Sequence, residues 1–153
     1  MTEEVVVPHN FAREEVSVRL YGINKWANEA AVDLVIHLHF NDYAGRPVDR
    51  TGPYKGFSIY IPERQLPTHR LSRELAESVK QRLLLTSPIS NLPLEQGGVI
   101  EDQELIAVGA NGSRDGASLF IEYGYIYESR FTDPARRMTA LDELAWRTAE
   151  GIR

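Results

Sequence analysis

Asp33-Leu34-Val35-Ile36-His37-Leu38-His39-Phe40-Asn41 is the stretch that decides the fold. From Leu34 to Leu38 it is apolar except for His37, which leaves no room for a polar alternation. Such a run suits a strand covered on both faces, as in a parallel sheet. We therefore expect residues 32–40 to form the central strand of an α/β domain. Ligand sites in open α/β sheets lie beyond the carboxyl ends of the strands. His37 and His39 are two residues apart, so they share a face near that end. A metal or a catalytic proton relay is the first chemistry this pattern suggests.

The segments around this strand alternate in type. Val5-Val6-Val7 reads as a short strand stopped by Pro8. Residues 13–30 read as a helix, with Val16, Leu20, Ile23, Ala27 and Ala30 forming one apolar stripe. Residues 41–55 contain Gly45, Pro47, Gly52 and Pro53 and read as a long loop, a kind of segment that is often functional. Residues 56–61 are a strand closed by Pro62. Thr68 is the expected N-cap of a helix reaching about Leu85, with Leu71, Leu75, Val79 and Leu83 inward. Residues 87–98 are turn-rich, 104–108 read as a strand, and 111–116 as a polar turn. Residues 117–121 are another buried strand, followed by Glu122. The last helix has Asp133 as N-cap and Pro134 at its first position. Met138, Leu141, Ala145 and Thr148 are its expected inner stripe, with Gly151 at its end. The alternation predicts a three-layer α/β/α sandwich around a mostly parallel sheet, in a single domain.

Composition removes several classes of function. The 153 residues suffice for one domain with a real core. A net charge of −5 argues against a broad phosphate-backbone surface, and hence against nucleic acid as a partner. No apolar run approaches the roughly 20 residues a membrane span needs, and the acidic start Met1-Thr2-Glu3-Glu4 has no signal-peptide pattern. There is no cysteine, so any metal must be held by carboxylates and the four histidines.

Two residues stand out. His39 reads either as a metal ligand or as a core histidine bonded to a backbone carbonyl. Glu122 directly follows a buried run, where a carboxylate is costly unless it pairs, binds metal or works as a base. Its other reading is an exposed strand end. If its strand runs parallel to residues 32–40, Glu122 and His39 meet at the same edge of the sheet. His37 reads as a residue that packs behind or supports a ligand. His9 and His69 read as surface residues. Arg46, Arg50 and Lys55 are loop charges that are either solvated or face a substrate carboxylate. Gly97-Gly98 and Asn111-Gly112 lack the strand-then-helix context of a phosphate loop.

Taken together, several segments resemble the zinc-dependent N-acetylmuramoyl-L-alanine amidases of the type-3 class, which are bacterial cell-wall hydrolases. Ala27-Asn28, Asp33-Leu34 and residues 36–41 are similar to that family's AN…ADL.ISIHAN segment. Residues 56–60 resemble its GVEVYY strand, and residues 119–126 its LVExGFI segment. Ser72, Leu75-Ala76 and Leu83 fall as in its intervening helix. The match runs in order from about residue 5 to residue 150. The resemblance makes His39 a zinc ligand and Glu122 the catalytic glutamate, with His37 and Asn41 as possible supports behind them. The family's other two ligands, a histidine in a GHGG-type turn and a following glutamate, have no counterpart here. The chain thus looks like the C-terminal two-thirds of the catalytic domain, lacking the N-terminal strand and first ligand segment. His37 also stands where the family usually has serine, and Ile23 replaces an arginine.

The resemblance implies zinc as cofactor and peptidoglycan or a muropeptide as substrate. The bond cleaved would be the amide between N-acetylmuramic acid and L-alanine, and the compartment the cell envelope or the exterior. The alternative is a catalytically incomplete fold that binds wall fragments without cleaving them. A third reading takes His37 and His39 as a metal pair of an unrelated hydrolase.

Overall fold

The computed structural model describes residues 14–153. The expected strand at residues 5–7, His9 and the expected helix start at Arg13 lie outside the described residues. In chain order the elements are α1 (Glu14–Glu29), β1 (Leu34–Asn41), β2 (Ser58–Ile61), α2 (His69–Leu83), a 3₁₀ turn (Pro93–Glu95), β3 (Val99–Glu101), β4 (Ala117–Tyr125), α3 (Ser129–Thr132) and α4 (Pro134–Ile152). The strands form one sheet in the order β1-β4-β2-β3. β1 runs parallel to β4 and β2 to β3, while β2 and β4 are antiparallel. This is a mixed α/β domain with a mostly parallel sheet, consistent with the α/β/α sandwich.

One face of the sheet carries the apolar core. Ile59, Ile61, Leu119 and Ile121 pack against Ala76, Val79 and Leu83 of α2 and Leu144 of α4. Each of the Ile and Leu side chains here contributes roughly 1.5–3 kcal/mol by burial. The two helices meet closely at Gly151, where a Cβ would lie 2.5 Å from the Val79 Cα. On the opposite face a smaller cluster joins Tyr60 and Phe120 to Leu105, Ala107 and Val108. Helix α1 is tied to the segment that closes this cluster. The Asn24 side chain donates to the Ile106 carbonyl at 2.6 Å, and Asn28 donates to the Gly112 carbonyl and accepts from the Arg114 amide.

Several expectations change. β1 is an edge strand of the described sheet, and β4, buried along all nine of its residues, is central. Both strands are apolar, and an apolar run alone does not rank them. Leu38 is 57% exposed as a result. Residues 104–108 form turns, and the strand lies earlier, at β3, paired with β2. Thr68 precedes α2 but makes no side-chain cap; its hydroxyl donates to the Ser113 carbonyl instead. Asp133 does cap α4, accepting from the Ala135 amide at 2.9 Å.

The expected stripes hold in part, with Ala27, Val79, Leu83 and Thr148 buried, while polar groups help turn the buried faces away from the rest. In α1 Asn24 and Ala27 are buried while Val16 and Ile23 are exposed. In α2 Ser72 is buried, with its hydroxyl accepting from the Ser118 amide, and Leu71 faces out. In α4 Thr148 is buried against the Tyr123 hydroxyl at 2.7 Å, while Met138 and Ala145 are exposed. Gly151 lies within α4 and not beyond its end.

Candidate active site

Parallel pairing of β1 with β4 sets His39 opposite Glu122 and His37 opposite Phe120. Register partners in a sheet point to the same face. On β2, Ser58 pairs with Glu122 and Tyr60 with Phe120, so these six side chains share the face opposite the main core. Glu122 is not a strand end. β4 continues through it to Tyr125, and the register with β1 shifts between His39 and Asn41. Gly124, at φ +145°, supplies backbone there that other residues rarely adopt.

Glu122 is 6% exposed, and its Oε2 has no hydrogen-bond partner. Burial, reinforced by the nearby Glu95 carboxylate, pushes its pKa up to about 8. The His39 ring lies on the Phe120 ring, with centroids 4.3 Å apart, and is otherwise exposed. His37 is buried, with Nε2 unpartnered. Burial lowers the pKa of both imidazoles, and for His37 the proximity of His39 adds to it. Both rings are therefore neutral at physiological pH, the state in which an imidazole binds a metal or accepts a proton. The Ser58 hydroxyl, fully buried beside Glu122, is also unpartnered.

Sequence reasoning missed Glu95. It sits in the 3₁₀ turn and is 1% exposed. Its Oε1 accepts from the Tyr60 hydroxyl at 2.6 Å and from Asn41 Nδ2 at 3.4 Å, and its Oε2 from the Tyr125 hydroxyl at 3.4 Å. One carboxylate thus ties together the ends of β1 and β4 and the middle of β2. Burial and the Glu95 charge raise the pKa of both tyrosines, so their hydroxyls stay protonated as donors. Asn41 belongs to this tether.

The remaining candidates have structural partners. His69 is not a solvated residue: its Nδ1 bonds the Pro62 carbonyl at 2.8 Å and its Nε2 faces Glu101. Arg46 holds Asp42 with two hydrogen bonds and donates to the carbonyls of Pro47, Val48 and Arg50, while its guanidinium lies over the Tyr127 ring. It organises its own loop. Arg50 and Lys55 are exposed. Gly97-Gly98 is a turn whose Gly98 carbonyl accepts from the Ile59 amide.

The zinc implied by the resemblance needs at least three protein ligands. Among the described residues no three His, Asp or Glu side chains come together in a way that could hold a metal. His39 stacks on Phe120, and Glu95 is occupied by its three donors. The described residues on their own do not fit a zinc ion. Among them, no helix is long and apolar enough to cross a membrane.

No family model matches the chain, and no curated protein does. Solved structures do. The N-acetylmuramyl-L-alanine amidase Ami1 from Mycobacterium smegmatis superposes with a TM-score of 0.66 at 17% identity, covering 87% of this chain and 60% of that one. The catalytic domain of the CD27L endolysin, which targets Clostridia difficile, gives 0.59 at 19% identity, covering 93% and 64%. The amidase CwlD of Clostridioides difficile, solved with the GerS lipoprotein, gives 0.63 at 16% identity, covering 99% and 68%. The chain spans about 60% of the length of the first of these structures. At such identities the likeness is one of fold, and by that measure the chain carries the fold of N-acetylmuramoyl-L-alanine amidase catalytic domains.

Proposed function

We propose that this domain acts on peptidoglycan in the cell envelope or outside the cell, hydrolysing the amide between N-acetylmuramic acid and L-alanine, with Glu122 as general base. The observation that carries this reading is the direct register of Glu122 with His39 in an amidase-type fold. Glu122 keeps one carboxylate oxygen free of partners, which suits a group that must receive a proton from water once it is ionised, so activity should rise with pH towards its raised pKa of about 8. In amide hydrolysis it takes that proton as water attacks the carbonyl, then passes it to the leaving amine. A zinc centre at His39 would need ligands beyond those the described residues bring together, and burial, which lowers the pKa of its imidazole, keeps that ring in the form such a centre takes. Bound zinc would supply Lewis acidity toward the carbonyl and an acidified water.

A second reading rests on the short ligand set among the described residues: an amidase-type fold that binds wall fragments without cutting them. One experiment separates the two. Purified muropeptides are incubated with the chain, with and without added zinc, and followed by mass spectrometry. Release of stem peptide with a free L-alanine amine supports the amidase. Binding of the same muropeptides without any release under either condition overturns it in favour of the binder.

A further inference from the structure

The loop between β1 and β2 adds two tyrosines to an aromatic series, rooted at the end of β4, that the amide chemistry does not use. Tyr43 meets Tyr54 edge to face with centroids 5.2 Å apart, Tyr54 meets Tyr125 at 6.0 Å, and Tyr125 meets Tyr127 at 5.4 Å. The inner two rings are buried, while Tyr43 and Tyr54 are half-exposed. The series begins at the site itself, because the Tyr125 hydroxyl bonds Glu95. It ends on a loop held in shape by Arg46, which bonds Asp42 and three loop carbonyls. Tyr43 is held as well, its amide donating to Asp42 Oδ1 at 2.7 Å. The same loop carries exposed Asp42, Asp49, Arg50 and Lys55, with Asp42 next to Tyr43 and Lys55 next to Tyr54 in sequence.

We propose that Tyr43 and Tyr54 form a stacking shelf for a pyranose ring of an N-acetylated glycan strand, leading into the Glu122 site. This rests on the peptidoglycan reading above and extends it from the peptide to the sugar. A pyranose has one face of C–H groups and a rim of hydroxyls. Such a ligand wants a fixed aromatic ring for its face and polar groups around it, which is the composition of this loop. Two half-exposed rings are too little for a protein partner, since a stable protein interface covers about 800 Å² on each side. In the edge-to-face pair Tyr43 and Tyr54 do not stack face on face, so each ring keeps at least one face clear of its partner. Because the loop is already bonded into shape, sugar binding carries little ordering cost.

The test uses the full chain and two probes: the N-acetylglucosamine tetramer and peptide-free glycan strands. Ring signals of isotope-labelled tyrosine are followed during titration with the tetramer. Shifts confined to Tyr43 and Tyr54, outside the buried rings, are expected. Tyr43→Ala and Tyr54→Ala should each weaken binding of peptide-free strands by about two- to tenfold. Tyr43→Phe and Tyr54→Phe, which keep the ring, should bind as the parent does. Unmoved tyrosine signals, or alanine variants that bind like the parent, overturn the shelf. If the chain releases stem peptides but ignores peptide-free glycan, the shelf fails while the amidase reading stands. If it binds glycan but releases nothing, the amidase reading fails and the shelf stands.

Discussion

The Tyr60 hydroxyl donates a 2.6 Å hydrogen bond to Glu95 Oε1, a carboxylate with only 1% of its surface exposed. Tyr125 and Asn41 complete its coordination, and among the described residues no cationic side chain pairs with it. A buried carboxylate held only by neutral donors is expensive to maintain. Here it joins three strands at the end where His39 and Glu122 face each other.

Glu95→Ala should destabilise the chain by about 1–3 kcal/mol for each donor left without an acceptor, with Tyr60 the main one. Glu95→Gln keeps an acceptor oxygen and should lose less. Urea unfolding of the two variants and the parent checks the order. Equal losses would mean that the carboxylate holds nothing in place.

At pH 8 and above, where the native carboxylate is ionised, Glu122→Gln should lower muropeptide hydrolysis by about 10²–10⁴-fold, the usual effect of removing a general base. Gln has the same volume and takes no proton at neutral pH, so folding should be intact by circular dichroism. Near-parental turnover would reduce Glu122 to a packing residue.

The same residue makes stability depend on pH in a metal-free buffer. Its pKa in the fold, about 8, lies above the usual 4.5. Below 4.5 it is protonated in both states, and its contribution is fully present. Between 4.5 and 8 the unfolded chain ionises while the native chain does not, so stability falls as pH rises; above 8 the loss is complete. Linkage sets an upper bound of about 5 kcal/mol on the fall. Denaturant midpoints taken from pH 4 to 9 should show this decline in the parent and a flatter profile in Glu122→Gln. Parallel profiles would contradict the burial argument.

After dialysis the purified chain should hold well under one zinc per molecule, because the described residues do not assemble three ligands. Elemental analysis decides this. Stoichiometric zinc lost on His39→Ala would show that groups beyond those described complete a centre at His39. Loss on His37→Ala as well would favour the paired-histidine reading.

The meeting of His39 and Glu122 was legible because two apolar runs ended in chemically loaded residues, and parallel pairing brings such ends together. The order of the strands was not legible. β1 and β4 have the same apolar character, and only the pairing of β2 with β4 makes β4 central. Helix faces were misread where a small polar residue such as Ser72 makes a buried hydrogen bond, since hydrophobicity patterns count it as outward. Glu95 was hidden by its turn-rich neighbourhood. Its three donors come from residues 41, 60 and 125, which no local pattern connects.

Arg46 spends its guanidinium on its own neighbours, so the loop after β1 has its shape before anything arrives. A surface prepared in this way does not wait for a slow rearrangement, and its encounter rate is set by diffusion and orientation. It also offers a protease little extended backbone to seize. Evolution can then exchange the side chains displayed between Arg46 and β2 without rebuilding the frame, provided the arginine and Asp42 remain.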